Sequence, residues 1–560
     1  MSWRAATPNT ALPPPGRFGY MILRRAAAAA AHPGNQAPLS DLAELAAPAF
    51  RVTAKTWTGF IAMSVGMFLA ILDIQIVASS LPDIQVGLRI DFDDLSWVQT
   101  AYLMAEVVAI PLTGWLTRVM STRGAFIAGM VGFTLASAAC GLSSGFWTLI
   151  PARVIQGFCG GLLIPLVFSA VFLIFPPVLR ARATVICGLL AMLAPTLGPT
   201  AGGFITDTLS WHWLFFINVI PGIIVIVLVA GAVTVDQPNW RAFGSVDLLA
   251  LPFLAVSLGS LQVLLQEAPH RGWGDPGMLS LAALCLFGGG TAIWRSLTHP
   301  QPLIDLTAFR QRNFALGCCF SFVLGVALYG ATYLLPVFLG VVQYYEAFDI
   351  GLIMMVTGAT QLMMAPVSAF LQKRFDARLM IGIGFALFAV GLITNGFMTY
   401  DTTFWGLFWQ QVARGAAIMP CILASTALAM NDFEPARVPN ASGLFNLMRN
   451  LGGAIGLALI DTVIERRAPG HVETIVERLK AGDPLMAIFV GLDPARFHNT
   501  PIGNVDEATR KAVEPLVRRA VLVWSLDDAW IFAGALVLLA LLLLPLLHRP
   551  TRSASGGPLS

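Results

Sequence analysis

Five charged side chains lie within long apolar stretches of this sequence, and these residues could do chemistry. They are Asp73, Glu106, Arg153, Arg414 and Arg449. A charge inside hydrocarbon is costly, so each one is a hypothesis about function. A buried carboxyl whose arginine partner moves between two conformations can bind a proton on one side of a membrane and release it on the other. The alternative is that these charges form static pairs that hold helices together.

The composition is that of a membrane protein. The chain has 560 residues, of which 56% are hydrophobic and only 12% charged, and its mean hydropathy is +0.74. A soluble protein of this length needs far more charge to cover its surface. The net charge of +3 does not indicate nucleic-acid binding. The sequence contains no nucleotide-binding loop, catalytic triad or metal-ligand spacing, so we predict neither an enzyme nor a metal or cofactor.

The apolar stretches predict the number of membrane spans. A helix needs about 20 apolar residues to cross a bilayer. On this basis we predict fourteen spans, at 57–80, 95–117, 124–143, 147–172, 183–206, 212–235, 245–265, 277–297, 314–341, 349–371, 379–399, 404–430, 439–462 and 528–548.

Basic residues predict the orientation of these spans. Cytoplasmic loops are rich in Lys and Arg, so both termini are expected in the cytoplasm. The side assigned to the cytoplasm then holds Arg118, Arg123, Arg180, Arg182, Arg241, Arg295, Arg310, Arg312, Lys373, Arg374, Arg378 and Arg437. The short loops on the other side hold only Arg89 and Arg271. Residues 1–56, rich in Ala and Pro, are predicted to be a disordered cytoplasmic tail, and 549–560 a second tail.

One outer connection, 463–527, is unusually long. Its segments His471–Ile488 and Asp506–Leu522 mix apolar and charged positions. This pattern predicts two amphipathic helices that either lie on the outer membrane surface or pack over the helix bundle.

The depth of each charge follows from a rise of about 1.5 Å per residue. Asp73 and Arg153 both fall in the outer half of the membrane, so they can interact, whereas Glu106 lies near the midplane. We therefore predict that Asp73, Glu106 and Arg153 couple transport to protons. Arg414 and Arg449 reach similar depths in later spans. They are predicted, with the polar residues Gln75 and Gln156, to line a substrate cavity.

The fifth span carries a segment with two prolines and three glycines. These residues are Pro195, Gly198, Pro199, Gly202 and Gly203. Proline bends a helix, and glycine lets a neighbouring helix approach closely. Membrane helices tolerate such residues because neighbouring helices satisfy the freed backbone groups. We predict that this segment packs and bends during a conformational change.

Four segments together resemble a known transporter family. They are 72–82, 153–165, 194–222 and 445–453. They are similar to motifs of the major facilitator superfamily and, more narrowly, of its fourteen-span drug:proton antiporters, the EmrB/QacA type. Ala194–Gly203 resembles the antiporter motif of that branch, and Arg153–Pro165 resembles the motif of the fourth span.

The resemblance implies an all-α membrane fold of two six-helix bundles, 57–235 and 301–548, with two additional spans in 236–300. It implies a multidrug exporter in the bacterial inner membrane that exchanges amphipathic, lipophilic compounds for protons by alternating access. The expected partners are a lipophilic substrate, protons and membrane lipid. In a host with two membranes, a periplasmic adaptor and an outer-membrane channel are also expected, and 463–527 either contacts the adaptor or only covers the bundle.

Other functions stay open on the sequence alone. A dedicated exporter of an endogenous metabolite or siderophore would carry the same motifs. A proton-coupled nutrient importer would conflict with the antiporter motif. A membrane receptor that transports nothing would have little use for spans interrupted by Pro and Gly.

Overall fold

Residues 53–90, 97–233, 237–240, 247, 249–300, 302, 304–400, 402–430, 433, 437–497 and 507–547 are described by a computed structural model. The predicted tails lie outside these ranges, except that the first helix already begins at Ala54, where the Thr53 hydroxyl caps it. The regular structure of the described residues is helical, as expected because a helix satisfies its own backbone groups in lipid.

The first half of the chain contributes eight helices to this part of the structure. They are α1 (Ala54–Ser79), α2 (Leu81–Leu88), α3 (Trp97–Ala109), α4 (Thr113–Gly141), α5 (Phe146–Ile174), α6 (Pro177–Thr208), α7 (Trp213–Phe216) and α8 (Val219–Ala232). Helices α1, α3 and α4 all pack on α5, and α6 and α8 pack on α1. The fourth predicted span, α5, therefore lies at the centre of this half.

Two further helices follow, α9 (Ala250–Arg271) and α10 (Pro276–Thr298). They pack on each other as a hairpin. Asp247, just before α9, accepts two hydrogen bonds from the Arg295 guanidinium, at 2.7 Å each, and so ties the two ends of the hairpin together.

The second half repeats the pattern. Its helices are α11 (Arg312–Val337), α12 (Ala347–Arg374), α13 (Ala377–Ile393), α14 (Phe404–Met430), α15 (Val438–Lys480), α16 (Pro484–Val490) and α17 (Glu507–Ala540). Helices α11, α12 and α13 pack on α14, while α15 packs on α11 and α17. Helix α14 thus has the central place that α5 has in the first half.

The two halves meet along two seams. Helix α6 packs on α12, and α15 packs on α5 and α3. Helix α9 covers the second seam because it contacts both α3 and α15. The Thr100 hydroxyl donates to Gln266 Oε1 at 2.8 Å on one side, and the Trp273 indole donates to Thr462 Oγ1 at 3.1 Å on the other.

Thirteen helices of the described residues are long and apolar enough to cross a membrane, whereas fourteen spans were predicted. The difference lies in Trp97–Gly141, a continuous stretch of 45 residues that contains the second and third predicted spans. At about 1.5 Å per residue it would measure about 68 Å, roughly twice the hydrocarbon thickness. The backbone of Ser121 leaves the helical region there, with φ 72° and ψ 160°. Each of the fourteen predicted segments therefore overlaps one of the thirteen helices.

The outer connection differs from its prediction in the bounds of its helices. The described residues of the two predicted segments, His471–Ile488 and Asp506–Leu522, belong to helices with other ends. Helix α15 continues past the predicted end of its span to Lys480, and α17 begins well before its predicted span. Their apolar faces pack on each other and on α16, through Ile475, Leu479, Met486, Val490, Val517 and Val521. Charged residues marked the end of the apolar run, but the helices themselves do not end there.

Candidate functional site

Asp73 and Arg153 form an ion pair inside the first half. The Asp73 Oδ2 atom lies 2.5 Å from Arg153 Nη1, and both side chains are 0% exposed. The guanidinium also donates through Nε to the Val98 carbonyl at 3.0 Å. The predicted interaction between these two residues is confirmed, and it joins helices α1, α3 and α5.

The other carboxylate oxygen of Asp73 is held by two amides. Gln156 Nε2 donates to Oδ1 at 2.8 Å, and Asn218 Nδ2 donates at 2.7 Å. Gln156 also accepts from Arg153 Nη1 at 2.7 Å and contacts Ser137 Oγ at 2.8 Å. We call Asp73, Ser137, Arg153, Gln156 and Asn218 the Asp73 network. Its hydrogen bonds to a charged group are of the strong, charge-assisted kind.

The sequence of α5 explains how α3 comes close enough to join this network. Glycines follow Arg153 at helical spacing and face α3. A Cβ atom on Gly157 would lie 2.1 Å from the Tyr102 carbonyl oxygen, and one on Gly161 would lie 2.7 Å from the Glu106 carbonyl oxygen. The close approach places the Tyr102 ring 4.6 Å from the Arg153 guanidinium carbon. Its hydroxyl donates to the Ala70 carbonyl of α1 at 3.2 Å.

Glu106 is buried at the seam between the halves. Its side chain lies on α3, and the residue is 2% exposed. Oε1 accepts a hydrogen bond from Asn450 Nδ2 of α15 at 3.3 Å, whereas Oε2 is buried without a partner. The described hydrogen bonds of Glu106 therefore lead to the second half rather than to Asp73.

Arg414 lies in the second half and is 3% exposed. Its Nη2 donates to Gln411 Oε1 and lies 3.4 Å from Thr357 Oγ1. Its guanidinium carbon lies 5.2 Å from the centre of the Trp530 ring. Nε and Nη1 are buried without a partner, and no described carboxylate pairs with them.

No described hydrogen bond or ion pair joins any of the four predicted cavity residues to another of them. Gln156 and Arg414 are buried inside their own halves, Gln75 packs against Gly198 of α6, and Arg449 lies on α15 with its guanidinium over the Phe445 ring. Two cavities, of ≈390 Å³ between α3, α9 and α10 and of ≈550 Å³ beside α13, are lined by other residues. That the four residues line one substrate cavity stays a prediction.

Helix α6 runs through Pro195 and Pro199 as one continuous helix. A Cβ atom on Gly198 would lie 2.4 Å from the Gln75 Cβ, so this glycine sets the distance between α6 and α1. Gly202 and Gly203 are buried in the next turn. The predicted close packing is present at Gly198, and the predicted bending stays a prediction.

The opposite face of the same segment contacts the second half. A Cβ atom on Gly358 of α12 would lie 1.9 Å from Thr196 Oγ1, and one on Gly351 would lie 2.4 Å from Thr200 Oγ1. The segment 194–203 is therefore packed between α1 of its own half and α12 of the other.

The sequence reasoning missed Asn218, Ser137 and Asn450. Asn218 stands in the turn between α7 and α8, so the sixth span begins with a short helix and a break. Polar side chains inside apolar stretches were the signal that could have found all three. A sequence does not show which helix each of them faces.

Comparisons with known proteins agree with this architecture. The family model described as "Major Facilitator Superfamily" matches residues 63–457. The chain is 41% identical to "Colistin resistance protein EmrB" of Acinetobacter baumannii over 76% of this chain and 84% of that protein. It is 28% identical to "Multidrug export protein EmrB" of Escherichia coli K12 over 89% of this chain and 96% of that protein.

A solved structure shows the same fold. The xylose transporter XylE from E. coli superposes with a TM-score of 0.55 at 11% identity, over 90% of this chain and all of that one. Helices of sufficient length and apolarity, a matching family model and closely related sequences lead to one conclusion. The chain is a multi-pass membrane protein that belongs to the major facilitator superfamily and, within it, to the EmrB/QacA-like branch.

Proposed function

We propose that this chain exports amphipathic, lipophilic compounds across the bacterial inner membrane in exchange for protons. The observation that carries the proposal is the Asp73 network. Its carboxylate is buried, and its donors come from α5 and from the turn before α8. When these donors move relative to α1, the cost of a charge on Asp73 changes, which is what proton uptake and release require. Two relatives named for multidrug export and colistin resistance support the direction of transport and the substrate class.

In the proposed cycle, Asp73 and Glu106 carry protons, and Arg153 competes with the proton for Asp73. The halves rock about the seams that α6 forms with α12 and that α15 forms with α3 and α5. The Pro- and Gly-containing segment of α6 supplies the packing surface of one seam. An opening at either face would admit water and substrate between the halves.

Inverted membrane vesicles test this function directly. Vesicles that have accumulated protons should release them when a lipophilic substrate is added. The double variant Asp73→Asn with Glu106→Gln should lose this release, while Glu507→Gln, whose exposed carboxyl pairs with Lys511 four residues away, should keep it. Full coupling in the double variant would overturn the assignment of the proton-carrying residues.

We further propose that both termini lie in the cytoplasm and that the extensions of α15 and α17 project into the periplasm with α16. Leu485 and Ile488 of α16 are 72% and 57% exposed, so they offer an apolar contact to a periplasmic adaptor. Replacing both with Asp should lower recovery of the adaptor in a pull-down and leave transport by the purified protein unchanged. Unchanged recovery would mean that this projection only covers the bundle.

A further inference from the structure

Glu106 is joined to the second half through a short relay of hydrogen bonds. Asn450 Nδ2 donates to Glu106 Oε1 at 3.3 Å, and Asn450 Oδ1 accepts from the Tyr329 hydroxyl at 3.3 Å. An ionised carboxylate can only accept hydrogen bonds, so the amide must turn its nitrogen toward Glu106. Its oxygen then faces Tyr329, which must donate. The tyrosine therefore orients the asparagine, and the asparagine faces the carboxyl.

Each end of the relay is fixed to its own half by glycines. On the first half, Gly161 of α5 lets α3 pack so closely that a Cβ atom there would lie 2.7 Å from the Glu106 carbonyl oxygen. On the second half, a Cβ atom on Gly325 would lie 2.0 Å from the Arg449 carbonyl oxygen. One on Gly453 would lie 2.5 Å from the Tyr329 ring. Helices α11 and α15 thus hold Asn450 and Tyr329 as one unit.

Because both ends are fixed, the distance from Asn450 to Glu106 follows the separation of the two halves. Closed halves hold the amide against the carboxyl. When the halves part, the carboxyl exchanges this donor for water. In the closed arrangement the Asn450 amide is the described donor that stabilises the ionised carboxylate, and in the open arrangement water takes over that role.

We propose that Asn450, oriented by Tyr329, is the positioning residue that stabilises the ionised form of Glu106 while the halves are closed. This rests on the proposed function, in which Glu106 carries a proton. The titratable or charged groups near Glu106 are Tyr102, one turn before it on α3, Tyr329 of α11, and Arg449, next to Asn450 on α15. Helix α5 presents the backbone at Gly161, and α9 presents the neutral Gln266 to Thr100 of α3.

The test is the pH profile of substrate-dependent proton flux in proteoliposomes. The Asn450→Ala variant loses a donor that favours the ionised carboxyl, so the midpoint of the profile should move to higher pH by about one unit. Tyr329→Phe keeps the ring against Gly453 and should give a smaller shift in the same direction. Asn446→Ala is the matched control, since that amide, one turn earlier on α15, donates to the Ser442 carbonyl of its own helix. It should give no shift.

A double variant separates positioning from general damage. In the Glu106→Gln background, Asn450→Ala should cause no further shift, because the titrating group is gone. A lower rate with an unchanged midpoint in Asn450→Ala would overturn the proposal, and so would a shift that persists in the Glu106→Gln background.

The same comparison can be made without transport. The melting temperature of the purified protein against pH should differ between wild type and Asn450→Ala, and this difference should vanish when Glu106 is Gln. If wild type shows no proton flux, the proposed function fails, and this thermal comparison still decides whether Asn450 and Glu106 are coupled. Equal pH dependence in wild type and Asn450→Ala would overturn the coupling.

Discussion

Arg153 and Arg414 occupy corresponding places in the two halves. Each lies on the central helix of its half, α5 or α14, and each donates to a glutamine three residues away on the same helix, Gln156 or Gln411. Each of these helices also carries a glycine directly against a neighbouring helix, Gly157 against α3 and Gly415 against α12. The backbone arrangement is therefore repeated.

The charges are not repeated. Arg153 has the Asp73 carboxylate at 2.5 Å, and two amides complete the shell of that carboxylate. Arg414 has the Trp530 ring and the Thr357 hydroxyl instead, without a described carboxylate. The two halves thus have similar architecture but different chemistry. In the first half a proton could compete with the Arg153 guanidinium for the Asp73 carboxylate, whereas Arg414 has no described carboxylate for which a proton could compete. We propose that proton chemistry is concentrated in the first half and in Glu106 at its seam.

The largest effect is expected from Asp73→Asn. It leaves the buried Arg153 guanidinium without its carboxylate, which should lower the free energy of unfolding by about 3–5 kcal/mol. Unfolding in detergent measures the loss. Adding Arg153→Met should recover much of it, because the uncompensated charge is removed. A loss below about 1 kcal/mol for Asp73→Asn would mean that the pair contributes little to stability.

Arg414→Met should cost less. No described carboxylate loses its partner, so the expected change is the loss of the hydrogen bonds to Gln411 and Thr357, about 1–2 kcal/mol. The same unfolding measurement checks it. If Arg414→Met lowered the free energy of unfolding as much as Asp73→Asn does, the two halves would bury their arginines in equivalent ways. The proposed difference between the halves would then be wrong.

Gly358→Ala tests the seam that the halves share. The new Cβ would overlap Thr196 Oγ1, so the packing of α6 on α12 should weaken by about 1–3 kcal/mol. Transport should slow, with the ratio of protons to substrate unchanged. The control is Gly290→Ala on α10, where a Cβ meets open space. Equal slowing in both variants would argue against a tight seam at this point.

The smallest effect is expected at Asp247, which lies outside both halves. The hydrogen bonds from the Arg295 guanidinium lower the pKa of this carboxyl below its usual value. Its stabilisation is therefore present above the unfolded pKa and is lost as the pH falls through the folded one. Asp247→Asn should loosen the α9–α10 hairpin by roughly 1 kcal/mol at neutral pH and much less in acid, with proton coupling intact. Hydrogen exchange of α10, compared with wild type at each pH, measures this.

The sequence predicts the spans and the possibility of the Asp73–Arg153 pair because both follow from the positions of residues within apolar runs. Apolar runs mark the helices, and equal depth brings the pair within reach. The extensions of α15 and α17 escaped prediction because their apolar faces are covered by each other rather than by lipid. Asn218 and Asn450 escaped it because their partners are 145 and 344 residues away in sequence. Helix rotation and packing decide such contacts, and hydropathy does not record them.

The contrast between the halves is tested most directly by comparing substrate-dependent proton flux in proteoliposomes of Asp73→Asn and Arg414→Met, matched for the amount of folded protein. We expect Asp73→Asn to abolish or strongly reduce the flux and Arg414→Met to retain it. Full flux in Asp73→Asn, or equal loss in both variants, would contradict the proposal that the first half carries the proton chemistry.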